Sequence, residues 1–334
     1  MLVLSIAGVG CPCLRGPINA SETARWYLFA AFGANKICPE LLKRGVPVKT
    51  AAIGSRGSIG RFFPQQCRVQ IDDGRRTMAV QVTGVGYSYV PIARRVGFHA
   101  DLTVEYKPDF RLEKDSVYVW GRFTRMITTP QLRILGIENK LASLATQIPA
   151  VGNVATVLAQ GILMNEIGRG FTVVRSDDGD DFTMGLLVPP SKPSRPSNPD
   201  EKYTFLAADT AEIHAQAREF LGPFAVEAKG KMLRLRTNVQ GPGLTLTLVD
   251  KGTGDLWMQS YLQGQPLTAP PGPTMPFGTA PAGDSQRGTA VGQGSYYVVV
   301  ENAQHALAPL GIPLPLVGDQ TSLVTYSADL GEVP

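Results

Sequence analysis

Apolar and polar side chains alternate with a period of two in two long stretches of this chain, and the alternation sets the expected architecture. Met78, Val80 and Val82 alternate with Ala79, Gln81 and Thr83, and Leu102, Val104 and Tyr106 alternate with Thr103, Glu105 and Lys107. Successive side chains of a strand point to opposite faces, so each apolar set predicts a half-buried antiparallel strand. Asp73-Gly74 supplies a hairpin turn, and Val117, Val119 and Phe123 continue the meander after a charged turn at Glu113 to Asp115. A further hairpin is expected from 171–175 and 182–188, around Asp177-Asp178-Gly179-Asp180. The same pattern returns at Leu233 and Leu235, at Leu244, Leu246 and Leu248, and at Tyr297 and Val299, which predicts an all-β second region. The Pro- and Gly-rich stretch 264–294 between them reads as a long exposed loop.

Helical spacing appears in three places. Trp26, Tyr27, Phe29, Ala30 and Phe32 follow a capping box in Asn19-Ala20-Ser21-Glu22, predicting a helix near 20–34 with an aromatic core face. Pro39 opens a short helical turn through Leu42, stopped by Gly45. The stretch 141–165 carries no charge, yet Pro149, Gly152 and Gly161 interrupt it. Two soluble helices, 138–147 and 152–166, therefore fit better than a membrane span. Leu144 and Ile148 share a face of the first, and Val154, Val157, Leu158 and Ile162 a face of the second.

These elements predict an α+β N-terminal domain, a curved antiparallel sheet with helices over 19–188, followed by an all-β sandwich over 203–334. Pro189, Pro190, Pro193, Pro196 and Pro199 mark 189–202 as a linker. With 18% charged residues and a net charge of +4, Lys and Arg lie scattered rather than in a stripe, so nucleic acid is not an expected partner.

Residues 1–10 are apolar and uncharged, reading as the tail of an export signal without its basic part, and 1–18 as signal remnant and tether. Ala7-Gly8-Val9-Gly10-Cys11 resembles a bacterial lipobox, which implies lipid attachment at Cys11, membrane anchoring and a periplasmic or outer-membrane place in the cell envelope. An oxidising compartment favours pairing among the remaining cysteines. Cys38 with Cys67 is the expected disulfide, since Cys13 falls in the tether.

Candidate chemistry is sparse. His99 shares a strand face with Asp101 but has no third ligand at metal spacing, and neither His214 nor His305 has an identifiable partner. The run Gly54-Ser55-Arg56-Gly57-Ser58-Ile59-Gly60-Arg61 has the glycines of an anion cradle without its strand-and-helix setting and reads as a loop. Asp177, Asp178, Asp180 and Asp181 are dense enough in oxygen to bind calcium, but a turn explains them equally. No metal, no cofactor and no catalytic residue is assigned.

The order of helix, meander, helical segment and closing strand over about 40–188 resembles a half-module of the tubular lipid-binding superfamily. That resemblance implies a groove between sheet and helices, lined by Leu144, Ile148, Val154, Val157, Leu158 and Ile162. Gly294-Ser295-Tyr296-Tyr297-Val298-Val299-Val300 resembles a late strand of the jelly-roll sandwiches carried by exported bacterial proteins. As a whole the chain resembles envelope lipoproteins of the myxobacterial type. The expected function is a non-catalytic binding or scaffolding lipoprotein whose partner is lipid or another envelope protein. The alternative is a carrier of lipid or another hydrophobic ligand in the 138–166 groove.

Overall fold

A computed structural model describes residues 12–49, 56–90, 93–139, 164–176, 179–189, 203–303 and 320–333. The chain is β-rich with few helices. It opens with a helical run of α1 (Pro12–Ala20), α2 (Glu22–Leu28), a π-helical turn (Phe29–Gly33) and α3 (Ala34–Leu42). The helix begins at Pro12 rather than near 20, and the cap falls at Ser21, whose Oγ accepts from the Ala24 N–H at 3.2 Å. Asn19 does other work: its amide exchanges hydrogen bonds of 2.8 and 2.9 Å with the Leu112 backbone, pinning α1 to the meander. Pro39 lies inside α3 and opens no new turn.

Strands β2 (Ser58–Asp72), β3 (Thr77–Val90), β4 (Arg94–Leu112), β5 (Ser116–Ile137), β6 (Phe171–Ser176) and β7 (Gly179–Met184) pair antiparallel in sequence order, and β1 (Val46–Lys49) pairs with β2. Bulges interrupt the β2–β3 and β4–β5 ladders, where an extra residue bends a strand. One apolar cluster joins Trp26, Phe29 and Ile37 of the helical run to Phe62, Met78, Val80, Val104 and Phe171 of the sheet. Cys38 of α3 and Cys67 of β2 are linked by a disulfide, Cα to Cα 5.3 Å, fastening helix to sheet.

The helices packed on this sheet are thus α2 and α3. Glu138 and Asn139 follow β5 without helical structure, so a helix does not start at 138, the rest of the expected 138–147 segment lies outside the described residues, and residues 164–168 form a helical turn that brings Ile167 into the core. Leu144, Ile148, Val154, Val157, Leu158 and Ile162 lie outside the described residues, as do Cys11 and the linker from 190 to 202. Among the described residues no helix is long and apolar enough to cross a membrane.

The second region comprises β8 (Tyr203–Ile213), β9 (Ala217–Val226), β10 (Lys231–Gln240), β11 (Leu244–Asp250), α4 (Lys251–Leu262), β12 (Met275–Ala280), β13 (Gly283–Val291), β14 (Gly294–Asn302) and β15 (Ser322–Glu332). Strands β13-β10-β15-β8 stand beside one another in one sheet and β12-β11-β14-β9 in the other. Leu233, Leu235, Leu244, Leu246 and Leu248, the alternate positions that the sequence pattern marks, share one buried cluster with Val298 and Val300, whereas the marked Tyr297 and Val299 face a second cluster on the other side of their strand. The expected loop 264–294 instead contains β12 and β13. Strand β13 is an edge strand whose Asp284, Gln286 and Gly288 are exposed, so its sequence lacks an apolar alternation.

The two regions are built together. Ser58 and Ala211 form a parallel bridge, so the meander and one sandwich sheet make a single eleven-stranded sheet. Helix α4, which the sequence pattern did not announce, starts where the Asp250 carboxylate accepts from the Thr253 N–H at 3.0 Å. Its far end lies against β4 and β5 so closely that a Cβ on Gly97 would sit 1.9 Å from the Leu262 carbonyl oxygen, and one on Gly136 2.1 Å from the Gln263 backbone. Trp257, Met258, Tyr261 and Leu262 of α4 cluster with Phe63 and Tyr87 of the meander and with Phe220 and Tyr297 of the sandwich.

Candidate functional site

Strand β2 turns Phe62 toward the helices and the neighbouring Arg61 and Phe63 toward the sandwich. Gly45 leaves room for the guanidinium stem, since a Cβ there would fall 2.4 Å from Arg61 Cδ. Arg61 Nε donates to Glu219 Oε1 of β9 at 2.7 Å, Nη1 to the Gly45 carbonyl at 2.9 Å and Nη2 to the Tyr326 hydroxyl of β15 at 3.1 Å. The other carboxylate oxygen accepts from the Tyr87 hydroxyl at 2.9 Å, and that hydroxyl accepts in turn from the Phe220 N–H at 2.9 Å. The Arg61 and Glu219 side chains are 4% and 5% exposed, so a charge pair and its hydrogen-bond shell lie at the seam between the two regions.

Burial sets the proton affinities. It pushes the Glu219 carboxyl upward, with Arg61 pulling it back, and it raises Tyr87 well above the ordinary phenol range. Burial likewise pushes Tyr326 up to about 12. For Arg61 burial works against the charge, but Tyr326 and Glu219 outweigh it and hold the guanidinium above its usual range. Around this pair, Arg95 lies over the Tyr261 ring at 3.8 Å and Arg218 over the Trp257 ring at 4.3 Å, while Arg218 also pairs with Glu301.

A cleft beside the pair, lined by Glu40, Lys49, Glu166, Asp209, Arg61 and Tyr326, holds only about 40 Å³. That volume suits one or a few waters; small-molecule sites run to roughly 300–1,000 Å³. Burial raises the Glu166 carboxyl and Arg169 opposes the rise, with the two side chains 2.9 Å apart. The larger concavity is an open trough of about 670 Å³ on the outer face of β13-β10-β15-β8, lined by Thr210, Arg236, Asn238, Asp284, Gln286 and Thr325. Its side chains pair across strands, Asn238 with Asp284 at 2.7 Å, Arg236 with Gln286 at 3.1 Å and Thr210 with Thr325 at 2.9 Å.

The residues singled out from sequence fall elsewhere. His99 and Asp101 occupy one face of β4, both half-buried, opposite Arg133 and Gln131 of β5. Among the described residues no three His, Cys, Asp or Glu side chains are placed to hold a metal ion. His214 stacks on Tyr89, ring centroids 3.5 Å apart, with Nδ1 2.9 Å from Thr321 Oγ1. The glycine-rich run does cradle an anion, but an internal one: the Arg56 and Gly57 N–H groups both donate to Glu212 Oε1. His305 and the side chains of Asp177, Asp178, Asp180 and Asp181 lie outside the described residues. Arg61, Tyr87, Glu219 and Arg218 were not legible as a set, because a charged residue inside a strand reads as solvated until its partner, 158 positions away for Arg61 and Glu219, is brought to it.

Compared with protein-family models, curated proteins and solved structures, the chain matches none.

Proposed function

We propose that the protein is a non-catalytic lipoprotein of the bacterial envelope, anchored through Cys11 and acting as a rigid scaffold or binding module. In this reading an α+β region resembling a tubular lipid-binding half-module is fused to a jelly roll. The crossing of strands β8 to β15 back and forth between the larger sheet and the four-stranded one, with only β11 and β12 consecutive in the same sheet, supports the jelly roll. One observation carries the functional reading: the Arg61–Glu219 pair, with its tyrosine hydroxyls, ties the two regions together beside a cleft too small for a substrate. Charges spent on holding one arrangement suit a protein that presents surfaces, such as the open trough of about 670 Å³ on the outer face of β13-β10-β15-β8.

The test is expression in a bacterial host behind a complete export signal, followed by mass spectrometry of the mature N-terminus and native mass spectrometry of the folded protein. A diacylated or triacylated Cys11 and a polypeptide free of bound acyl ligand are expected. An unmodified Cys11 in mature protein would remove the anchor, and a co-purifying lipid held by the folded chain would favour the carrier reading over the scaffold.

A further inference from the structure

The helical run that packs on the meander has a second face. Trp26, Phe29, Ala34 and Ile37 point into the core, whereas Tyr27, Phe32, Lys36, Pro39 and Leu42, spaced three to five residues apart, lie on the exposed side. Tyr27 is 65% exposed, Phe32 47% and Leu42 40%, and Leu14 of α1 is exposed as well. The sequence pattern assigned Tyr27 and Phe32 to the core; the structure turns both outward.

The surroundings of this stripe are cationic. Lys36 lies within it, and Arg76, Lys107 and Arg122 gather at the N-terminal end of α2, where Arg76 Nη2 donates to Thr23 Oγ1 at 3.2 Å. Glu22 is shared between Arg76 and Lys107 at 3.7 and 3.6 Å, which leaves net positive charge in the group. Lys36 and Arg122 have no carboxylate partner among the described residues. Exposed aromatic and aliphatic side chains interleaved with cations are the composition of a helix that lies in a membrane interface, its rings at headgroup depth and its cations on anionic lipid. The position agrees, because the run follows directly on the apolar residues 1–10 and Cys11.

We infer that the outer face of α2 and α3 is a membrane-surface contact for anionic phospholipid, adding a second attachment to the acyl anchor and fixing the orientation of the sheet above the bilayer. The inference builds on the anchored reading but can fail without it, since the face should bind lipid even when Cys11 is not acylated.

The test therefore uses the full chain with Cys11→Ser, sedimented with vesicles of phosphatidylglycerol and phosphatidylethanolamine or of phosphatidylcholine alone. Binding to the anionic vesicles, weakened by salt, is expected, with a loss of about tenfold or more in Tyr27→Ser/Phe32→Ser and a smaller loss in Lys36→Glu. Because Tyr27 is exposed, Tyr27→Trp keeps the fold, and the fluorescence it adds over that of the parent's three tryptophans should be quenched by lipid brominated near the headgroup. A Cys11→Ser chain that stays in solution with anionic vesicles, a double serine variant that binds as well as its parent, or an unquenched Trp at position 27 would each overturn the inference. Acylation of Cys11, measured separately, would stand or fall on its own.

Discussion

The interior of the sandwich and the seam beside it are built from different materials. Between the sheets, Leu233, Leu235, Leu244, Leu246 and Leu248 meet Val298 and Val300 without a charged partner. At the seam a buried ion pair, four tyrosines and two arginine-on-ring contacts stand among apolar side chains from both regions. An apolar core tolerates exchange of one hydrocarbon for another at little cost, while a buried ion pair accepts very few geometries. The space between the sandwich sheets is thus filled by bulk alone, and the seam specifies how the two regions meet.

The largest expected effect comes from leaving half of the pair behind. Arg61→Met is expected to cost about 3–5 kcal/mol in urea unfolding, and adding Glu219→Leu should recover most of it, because the lone buried carboxylate carries the penalty. A double variant no more stable than the single one would show that the pair is not the unit. Next comes Leu235→Ala in the sandwich, about 3 kcal/mol from lost burial and a cavity. Since the apolar cluster at the seam joins the regions, both variants should shift one shared unfolding transition; two separate transitions in Leu235→Ala would mean that the sandwich melts alone.

Gly97→Ala, which pushes a methyl into the Leu262 carbonyl, should cost about 2 kcal/mol and speed hydrogen exchange in α4 before the sandwich strands. Smallest is Asp250→Ala, about 1 kcal/mol for a lost helix cap. Hydrogen bonds from Thr253 hold the Asp250 carboxyl below its ordinary 3.8, so its contribution is complete above that value and is lost as pH falls through the depressed one. Trp257 fluorescence followed from pH 6 to 2 should show the difference between parent and variant closing at the acid end. A constant difference would assign the cap no titrating role.

What could be read in the sequence follows the same division. Met78, Val80, Val82, Leu102, Val104 and Tyr106 are buried where period-two alternation puts them, because one face of each strand is solvated less than the other. Helix α4 was hidden by the glycines of Lys251-Gly252-Thr253-Gly254, which lower helix propensity; Gly254 is required because a Cβ there would meet the Tyr297 ring at 2.3 Å. Strands β12 and β13 were hidden by their exposure. The seam was not legible at all, since its charges have meaning only in pairs that span the chain. Tyr27 and Phe32 misled in the opposite sense, as helical spacing marks a stripe without saying which side the core is on.

Helix α4 has a consequence for how the chain is made. The face of the meander that carries Phe63 and Tyr87 is complete by residue 90, yet the helix that covers it is not synthesised until residue 262. During translation this aromatic surface must wait, bare, for more than half the polypeptide. A chain arranged in that order needs to be kept from folding early or shielded by a chaperone while it does, and truncation before α4 should yield insoluble material rather than a free-standing first half.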